Sequence, residues 1–526
     1  MPKTPSTKLF RLIKSMSGSE KRYFKLFAGY SDDRSNKYIR LFDEIDEQEI
    51  FDDEALKRSI YGKKPIESRK YSELKAYLYD LILKSLQRFD EKSSIDFKLK
   101  NYLQSIRVLY RRSHFEDARQ LVGKAKKLAQ RYEKFDAMLE MLNWEKQIAY
   151  AQTDIAFLDS QLSRIDAEEK DCLTRLQNIS SYRNIFFQLL ISLRKDASLR
   201  NKEQGEKLSA IIRHPLLADE SLAGSHQARI LYHRIYSVYY YAQKKLSEFY
   251  QVSQVLLSLM EGQVHFLKED VSEYISALSN LTLACGWLKK HDEVEKNLEK
   301  FRNITPITQD DELKIHRQYY MNKFALSIVI GDFKEGLKAL EQHQEEIRRF
   351  SDASFRKHTF FFQYFYIYFG NDDYNKALEY LNEWLNLSSN IERKDLQSLA
   401  RILNLIVHYE MGNSILLESL LRSTYRFLKK QERINEYERL ILNFIRNSGK
   451  IVSKKELKQA YLQLKEDLEG LFQQKEERAM LEMFDIVSWV ESKIQNQAFA
   501  QVKQEKYQAQ LTLQSTDGSD IDSTRG

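Results

Sequence analysis

The stretches SIVIGDFKEGLKAL (327–340), YIYFGNDDYNKALEYL (366–381) and HYEMGNSILLESLL (408–421) decide the fold. In each, an apolar, aromatic-rich segment runs into a glycine-containing turn: Ile330-Gly331-Asp332, Phe369-Gly370-Asn371 and Met411-Gly412-Asn413. A second periodic segment follows each turn. Counting three, seven and ten residues on from its start gives Phe333, Gly336, Leu340 and His343, then Tyr374, Ala377, Leu381 and Trp384, then Ser414, Leu417, Leu421 and Thr424. This 3–4–3 spacing puts four residues on one helix face. A small residue early on that face admits a close partner helix, and the larger ones fill the groove between the two. The unit is a helical hairpin.

The same frame extends upstream. His291, Val294, Leu298 and Phe301 carry it, and before them Tyr250, Ser253, Leu257 and Met260. Further back stand Phe115, Ala118, Val122, Ala125 and Ile155, Leu158, Leu162, Ile165. The first residues at 250, 291, 333, 374 and 414 lie 41, 42, 41 and 40 apart, and 115 and 155 lie 40 apart. A looser instance is Leu457, Ala460 and Leu464. The 95 residues from Ile155 to Tyr250 hold either two enlarged hairpins or a local irregularity.

Composition agrees with helices throughout. Five prolines and sixteen glycines in 526 residues are too few breaks for an all-β or α/β chain of this length. Aromatics at 12% fill gaps between helices, and 30% charged residues supply a solvated face. The expected fold class is all-α: an α-solenoid of stacked antiparallel helical hairpins with a period of about 41, preceded by an N-terminal helical region. The expected domains are 1–90, a basic helical cap; 95–490, the repeats; and 496–526, a disordered, Gln-rich polar tail. Residues 1–7 read as a disordered lead.

Within the cap, Ser17-Gly18-Ser19-Glu20 fits a capping box, Gly29 is expected to end that helix, and Asp52 or Asp53 to open another that stops near Gly62. An amphipathic helix is expected from Ser68 to Phe89. Residues 1–40 hold ten basic residues against three acidic ones, an excess of seven that equals the whole chain's +7. Lys8, Arg11, Lys14, Lys21, Arg22 and Lys25, with Phe10, Tyr23, Phe24, Phe27 and Tyr30 interleaved, could form a nucleic-acid surface. The other reading is a solvated basic face over a buried aromatic stripe.

No catalytic constellation is found. His226 and His233 stand seven apart without a supporting carboxylate pattern, so no zinc site is assigned. Asn447-Ser448-Gly449-Lys450 resembles the end of a phosphate-binding loop, but Phe444 occupies the place of its first glycine. Neither cofactor nor metal is expected, and the chain is read as a non-enzyme. Asn280, Asn322, Gln363 and Asn404 recur 11, 11, 11 and 10 residues before their hairpin anchors. Amides on first helices can grip an extended peptide backbone; an inter-helix hydrogen bond or simple exposure is the competing use. The aromatic run Phe360–Phe369 is expected to be mainly core. Cys172 and Cys285 read as separate buried thiols. No run reaches the ~18 apolar residues of a membrane span, and Lys8–Met16 lacks the apolar core of a secretory leader. A cytoplasmic protein without membrane insertion is expected.

Gly331-x-Phe333-x2-Gly336-x3-Leu340 and Gly370-x3-Tyr374-x2-Ala377-x3-Leu381 resemble the tetratricopeptide-repeat superfamily. The usual period there is 34, and its repeat-end proline is missing here. Ser-Glu-Lys-Arg-Tyr-Phe-Lys-Leu-Phe at 19–27 and Tyr-Leu-Tyr-Asp-Leu-Ile-Leu-Lys-Ser-Leu at 77–86 also resemble uncharacterised bacterial helical-repeat proteins. The resemblance implies a scaffold or adaptor that binds a protein or peptide on a concave face. The alternative is a bacterial regulator whose basic N-terminal region contacts nucleic acid while the repeats sense a partner.

Overall fold

The computed structural model describes residues 7–29, 37–62, 68–90, 94–195, 202–350, 357–386, 394–430 and 435–522. Every regular element among them is helical. The expected lead falls mostly on 1–6, outside the described residues. The helices divide between two compact units, 1–289 with 304–314, and 290–303 with 315–526. That division falls inside the segment read from sequence as one repeat domain.

The first unit opens with α1 (Lys8–Ser15), α2 (Gly18–Phe27), α3 (Lys37–Glu47), α4 (Asp53–Tyr61) and α5 (Ser68–Asp90). Local chemistry sets their ends. Ser17 and Glu20 form the reciprocal cap of α2, and Gly29 follows that helix with φ +69°. Asp52 caps α4, and Gly62 ends it with φ +72°. Phe24, Phe42, Ile45, Leu56, Leu78 and Ile82 belong to a core private to this region. Asp53 is buried beneath it. Burial alone would raise its carboxyl, but Lys75 at 2.9 Å and Lys57 at 3.2 Å outweigh burial and hold it below the ordinary range.

The same unit continues with α6 (Ile95–Arg111), α7 (Phe115–Arg131), α8 (Phe135–Ala151), α9 (Ile155–Lys195), α10 (Lys202–Ile212), α11 (His226–Ala242), α12 (Leu246–Glu261), α13 (Val264–Leu267) and α14 (Val271–Trp287). Consecutive long helices pack on each other: α6 on α7, α7 on α8, α8 on α9, and α11 on α12. The irregularity after Ile155 is one 41-residue helix, α9, about 60 Å long at 1.5 Å per residue. It packs on α8 and α11. Hairpins were the other expectation there.

The second unit contains α15 (His291–Asn303), the later part of α16 (Gln309–Ile330), α17 (Phe333–Glu346), α18 (Phe361–Gly370), α19 (Tyr374–Asn386), α20 (Lys394–Glu410), α21 (Ser414–Lys430), α22 (Glu436–Ser448), α23 (Lys454–Gly470), α24 (Lys475–Met483), α25 (Ile486–Gln495) and α26 (Phe499–Asp522). The aromatic run is core, as expected: Tyr364, Phe365, Tyr366, Tyr368 and Phe369 are buried on α18.

One turn recurs in both units. A left-handed residue stands two positions before the next helix at Ser113, Glu133, Thr153, Lys244, Lys289, Gly331, Asp372 and Gly412. At most of them the backbone closes in the same way. Ser113 N–H donates to Tyr110 and His114 N–H to Leu109; Asp372 donates to Phe369 and Asp373 to Tyr368; Gly412 donates to Tyr409 and Asn413 to His408. This pair of bonds satisfies the last carbonyls of the preceding helix. Phe115, Ile155, His291, Phe333, Tyr374 and Ser414 are each the first residue of a helix. Tyr250 and Leu457 are not, because α12 begins at Leu246 and α23 at Lys454.

In the turn that contains Gly370 the left-handed residue is Asp372. Gly370 ends α18 where a Cβ would sit 2.3 Å from the Phe333 ring, so its task is close packing. The segment 496–526 is not the expected disordered tail over its described length. After left-handed Asn496 the chain re-enters a helix, α26, with Phe499 and Val502 buried. Phe499 stacks on Phe484 and Phe333, and Gln504 donates to the Gly331 carbonyl at 3.0 Å. Two apolar residues one turn apart anchor the helix, and the glutamines around them mask the signal.

Candidate functional site

Three of the four amides are used within the chain. Asn322 donates to the Gln318 carbonyl at 2.7 Å, on its own helix. Gln363 donates to the Met321 carbonyl at 3.0 Å, which brings it beside Asn322, while its own Oε1 is buried without a hydrogen bond. Asn404 is buried and points its amide nitrogen at Asn382 Oδ1, 3.4 Å away on α19. Asn280 is half-buried on α14, in the first unit.

The basic N-terminal residues are partly neutralised. Lys21 pairs with Asp46 at 2.6 Å and Lys25 with Asp43 at 2.7 Å, while Lys14 donates to the Asp46 carbonyl. These acids lie just beyond the window that made the charge count look one-sided: residues 41–50 hold five carboxylates and no basic residue. Lys8, Arg11 and Arg22 are exposed.

A cavity of about 600 Å³ opens in the first unit, built from segments 94–96, 132–134, 183–187, 226–234 and 260–273. Three helix N-termini meet there, each held by a carboxylate. Glu269 accepts from the Ile95 N–H at 3.0 Å, at the start of α6. Glu133 accepts from the N–H groups of His226 and Gln227 at 3.0 and 3.3 Å, at the start of α11. Asp270 accepts from the Glu273 N–H at 3.2 Å, at the start of α14. Carboxylates suit these positive helix ends. Burial pushes the Asp270 carboxyl upward, against the Glu273 N–H and Arg234, which favour its charged form.

The cavity's cations are largely committed. Lys134 pairs with Asp96 at 2.7 Å. Arg234 pairs with Glu273 and lies over the Phe186 ring, 4.6 Å from its centroid. Arg183 is exposed. In the lining sits His226, only 5% exposed and stacked on Phe266 at 4.6 Å. Neither of its ring nitrogens has a hydrogen-bond partner. Burial lowers its pKa, Arg229 and His265 reinforce that, and Glu133 opposes it. The ring is therefore neutral near pH 7, with neither nitrogen hydrogen-bonded and both closed to solvent.

The second unit contains a buried histidine pair of the opposite kind. His343 Nε2 lies 2.5 Å from the Tyr364 hydroxyl, and His343 Nδ1 lies 3.0 Å from His316 Nε2. His316 Nδ1 lies 3.1 Å from Glu346 Oε2. Burial, helped by Arg349, lowers His316 to about 4, so its ring is neutral. One proton arrangement satisfies every atom: Tyr364 O–H donates to His343, His343 Nδ1–H to His316, and His316 Nδ1–H to Glu346. His343 is a face residue of the Phe333 hairpin. The string completes a core and leaves no donor or acceptor for a ligand.

The spacing of His226 and His233 is the only sequence feature near this cavity, and the cavity itself carries no sequence signal. His233, the nominal partner of His226, points instead at Glu220, 3.2 Å away. Among the described residues, no group of three or more His, Cys, Asp or Glu side chains is placed to hold a metal ion. No described helix is long and apolar enough to cross a membrane. No protein-family model matches this chain, and no curated protein matches it either.

Proposed function

We propose that this chain is a non-catalytic scaffold of the tetratricopeptide-like kind, a cytoplasmic α-solenoid that holds a protein or peptide partner along the groove lined by the first helices of its hairpins. The observation that supports this reading is the recurrent turn. At most of the turns from Ser113 to Gly412, a left-handed residue two positions before the next helix goes with the same backbone closure. Repetition of one hairpin unit is how solenoid proteins build long binding surfaces without one oversized core.

The test is affinity capture from cell lysate with the full chain and with a deletion of 332–372, one turn-to-turn unit, its helicity checked by circular dichroism. The scaffold reading expects a partner present with the full chain and absent with the folded deletion. Identical captures from the two proteins would sink it. The regulator alternative would rest on Lys8, Arg11 and Arg22, which are exposed, since Lys21 and Lys25 pair with Asp46 and Asp43.

A further inference from the structure

We propose that the hairpin of α6 and α7 is a binding surface for the phosphate backbone of a double-stranded nucleic acid. The inference goes beyond the scaffold reading and does not depend on it.

Residues 97–131 hold ten basic residues against two acidic ones, an excess of eight, which is more than the net +7 of the whole chain. The next two helices show what an ordinary solvated face looks like in this protein. Residues 135–195 hold seven basic and nine acidic residues, and Lys146, Arg164, Lys170 and Arg175 there each pair with a carboxylate. In 97–131 only Arg119, with Asp154, and Lys126, with Glu145 and Glu168, are paired in that way. The other eight cations are exposed and have no carboxylate partner among the described residues.

Most of these cations fall in rows. Lys100, Gln104, Arg107 and Arg111 stand at steps of four, three and four along α6, and Gln120, Lys124, Lys127 and Arg131 repeat those steps along α7. Each set lies on one side of its helix, about 16 Å long at 1.5 Å per residue, and all eight positions are exposed. Like charges at these spacings destabilise a helix, and an anion lying along the row offsets that cost. The helix dipole accounts for cations in the last turns, Arg111 and Arg131, but not for Lys100, Arg107, Lys124 and Lys127.

The rest of the hairpin selects the polyanion. A duplex carries one negative charge per ~1.7 Å of its axis, so roughly ten phosphates lie along each row. Arginine forks and glutamine amides both donate to phosphate oxygens. Single strands are held by exposed rings on which bases stack, whereas Tyr102, Tyr110 and Phe115 pack against the core here. A membrane surface is gripped by apolar side chains beside the cations, but Val108 is the one large exposed hydrophobic residue described in 97–131. The contact is with the backbone and does not depend on base sequence.

The test is fluorescence anisotropy of the full chain with labelled random-sequence duplexes of about 20 base pairs, one DNA and one RNA, at rising salt. The expected result is saturable duplex binding that weakens steeply with salt and is about fivefold or more tighter than for a single strand of equal length. The tighter of the two duplexes identifies the nucleic acid. Lys100→Gln, Arg107→Gln and Arg111→Gln together should weaken binding by about tenfold or more and flatten the salt dependence, and Lys124→Gln, Lys127→Gln and Arg131→Gln should do the same on α7. Lys8→Gln, Arg11→Gln and Arg22→Gln remove the same charge from α1 and α2 and should change binding by less than about twofold. Circular dichroism checks that each variant is folded. The proposal is overturned if neither duplex binds at low salt, if both folded row variants bind like the parent, or if the α1–α2 variant loses as much as they do. It is overturned equally if the single strand, a phosphatidylserine-containing vesicle or poly-glutamate binds as tightly as the duplexes.

Discussion

His343 and His226 are both buried imidazoles on helices of one protein, yet they do opposite things. His343 has a partner on each nitrogen, in a region so closely packed that Gly370 has no space for a methyl group. His226 has a partner on neither nitrogen and lines a cavity. Burial alone therefore does not say whether a histidine's hydrogen bonds are met. A satisfied string makes the surrounding packing rigid and specific, whereas an unmet ring is a destabilisation the fold carries.

The contrast is sharpest where it should be largest. Gly370→Ala gains up to about 1 kcal/mol of helix propensity but drives a Cβ into the buried Phe333 ring, so a net loss of about 3 kcal/mol is expected in urea unfolding followed by Trp489 fluorescence. His343→Phe strands both the Tyr364 hydroxyl and His316, and should cost about 3 kcal/mol on the same probe. A result near zero would mean the string is not a structural unit.

Acid should find the same region. Folded His316 titrates near 4, below the ~6.5 of an unfolded histidine. Between these values the unfolded chain takes up a proton that the folded chain refuses. The stability from its neutral ring is thus fully present above ~6.5 and is lost as pH falls toward 4, on the order of 2 kcal/mol. A melting temperature that is flat over that window would remove the string from the account. Gly412→Ala tests the turn alone: nothing lies within 4 Å of its added Cβ, so only its left-handed φ of +69° is penalised, by about 1 kcal/mol. His226→Phe has the smallest effect and the opposite sign, a rise of up to about 1 kcal/mol, because it deletes two unmet polar atoms. A clear loss of stability there would make His226 an ordinary core residue.

Local signals were legible in the sequence, and assembled ones were not. Phe333, Tyr374 and Ser414 open their helices because apolar periodicity and turn residues are read over a dozen positions. Tyr250 misled because Phe249, buried beside it, continues a face whose turn lies at Lys244. Glycine marked the turns imperfectly, since most of the left-handed positions are Ser, Glu, Thr, Lys or Asp and owe their conformation to helix-end hydrogen bonding. The cavity was invisible for a deeper reason. Its lining comes from five separate segments, and an unmet hydrogen bond belongs to a fold and not to a sequence window.

The packing of α26 on the Gly331 turn bears on how the chain is made. Gln504 and its acceptor are 173 residues apart, so at ~5–20 residues per second the turn waits roughly 10–35 seconds for the helix that covers it. During that interval the nascent chain presents Phe333 and Phe369 without Phe499 stacked against them. Synthesis therefore opens a timed window of aromatic exposure.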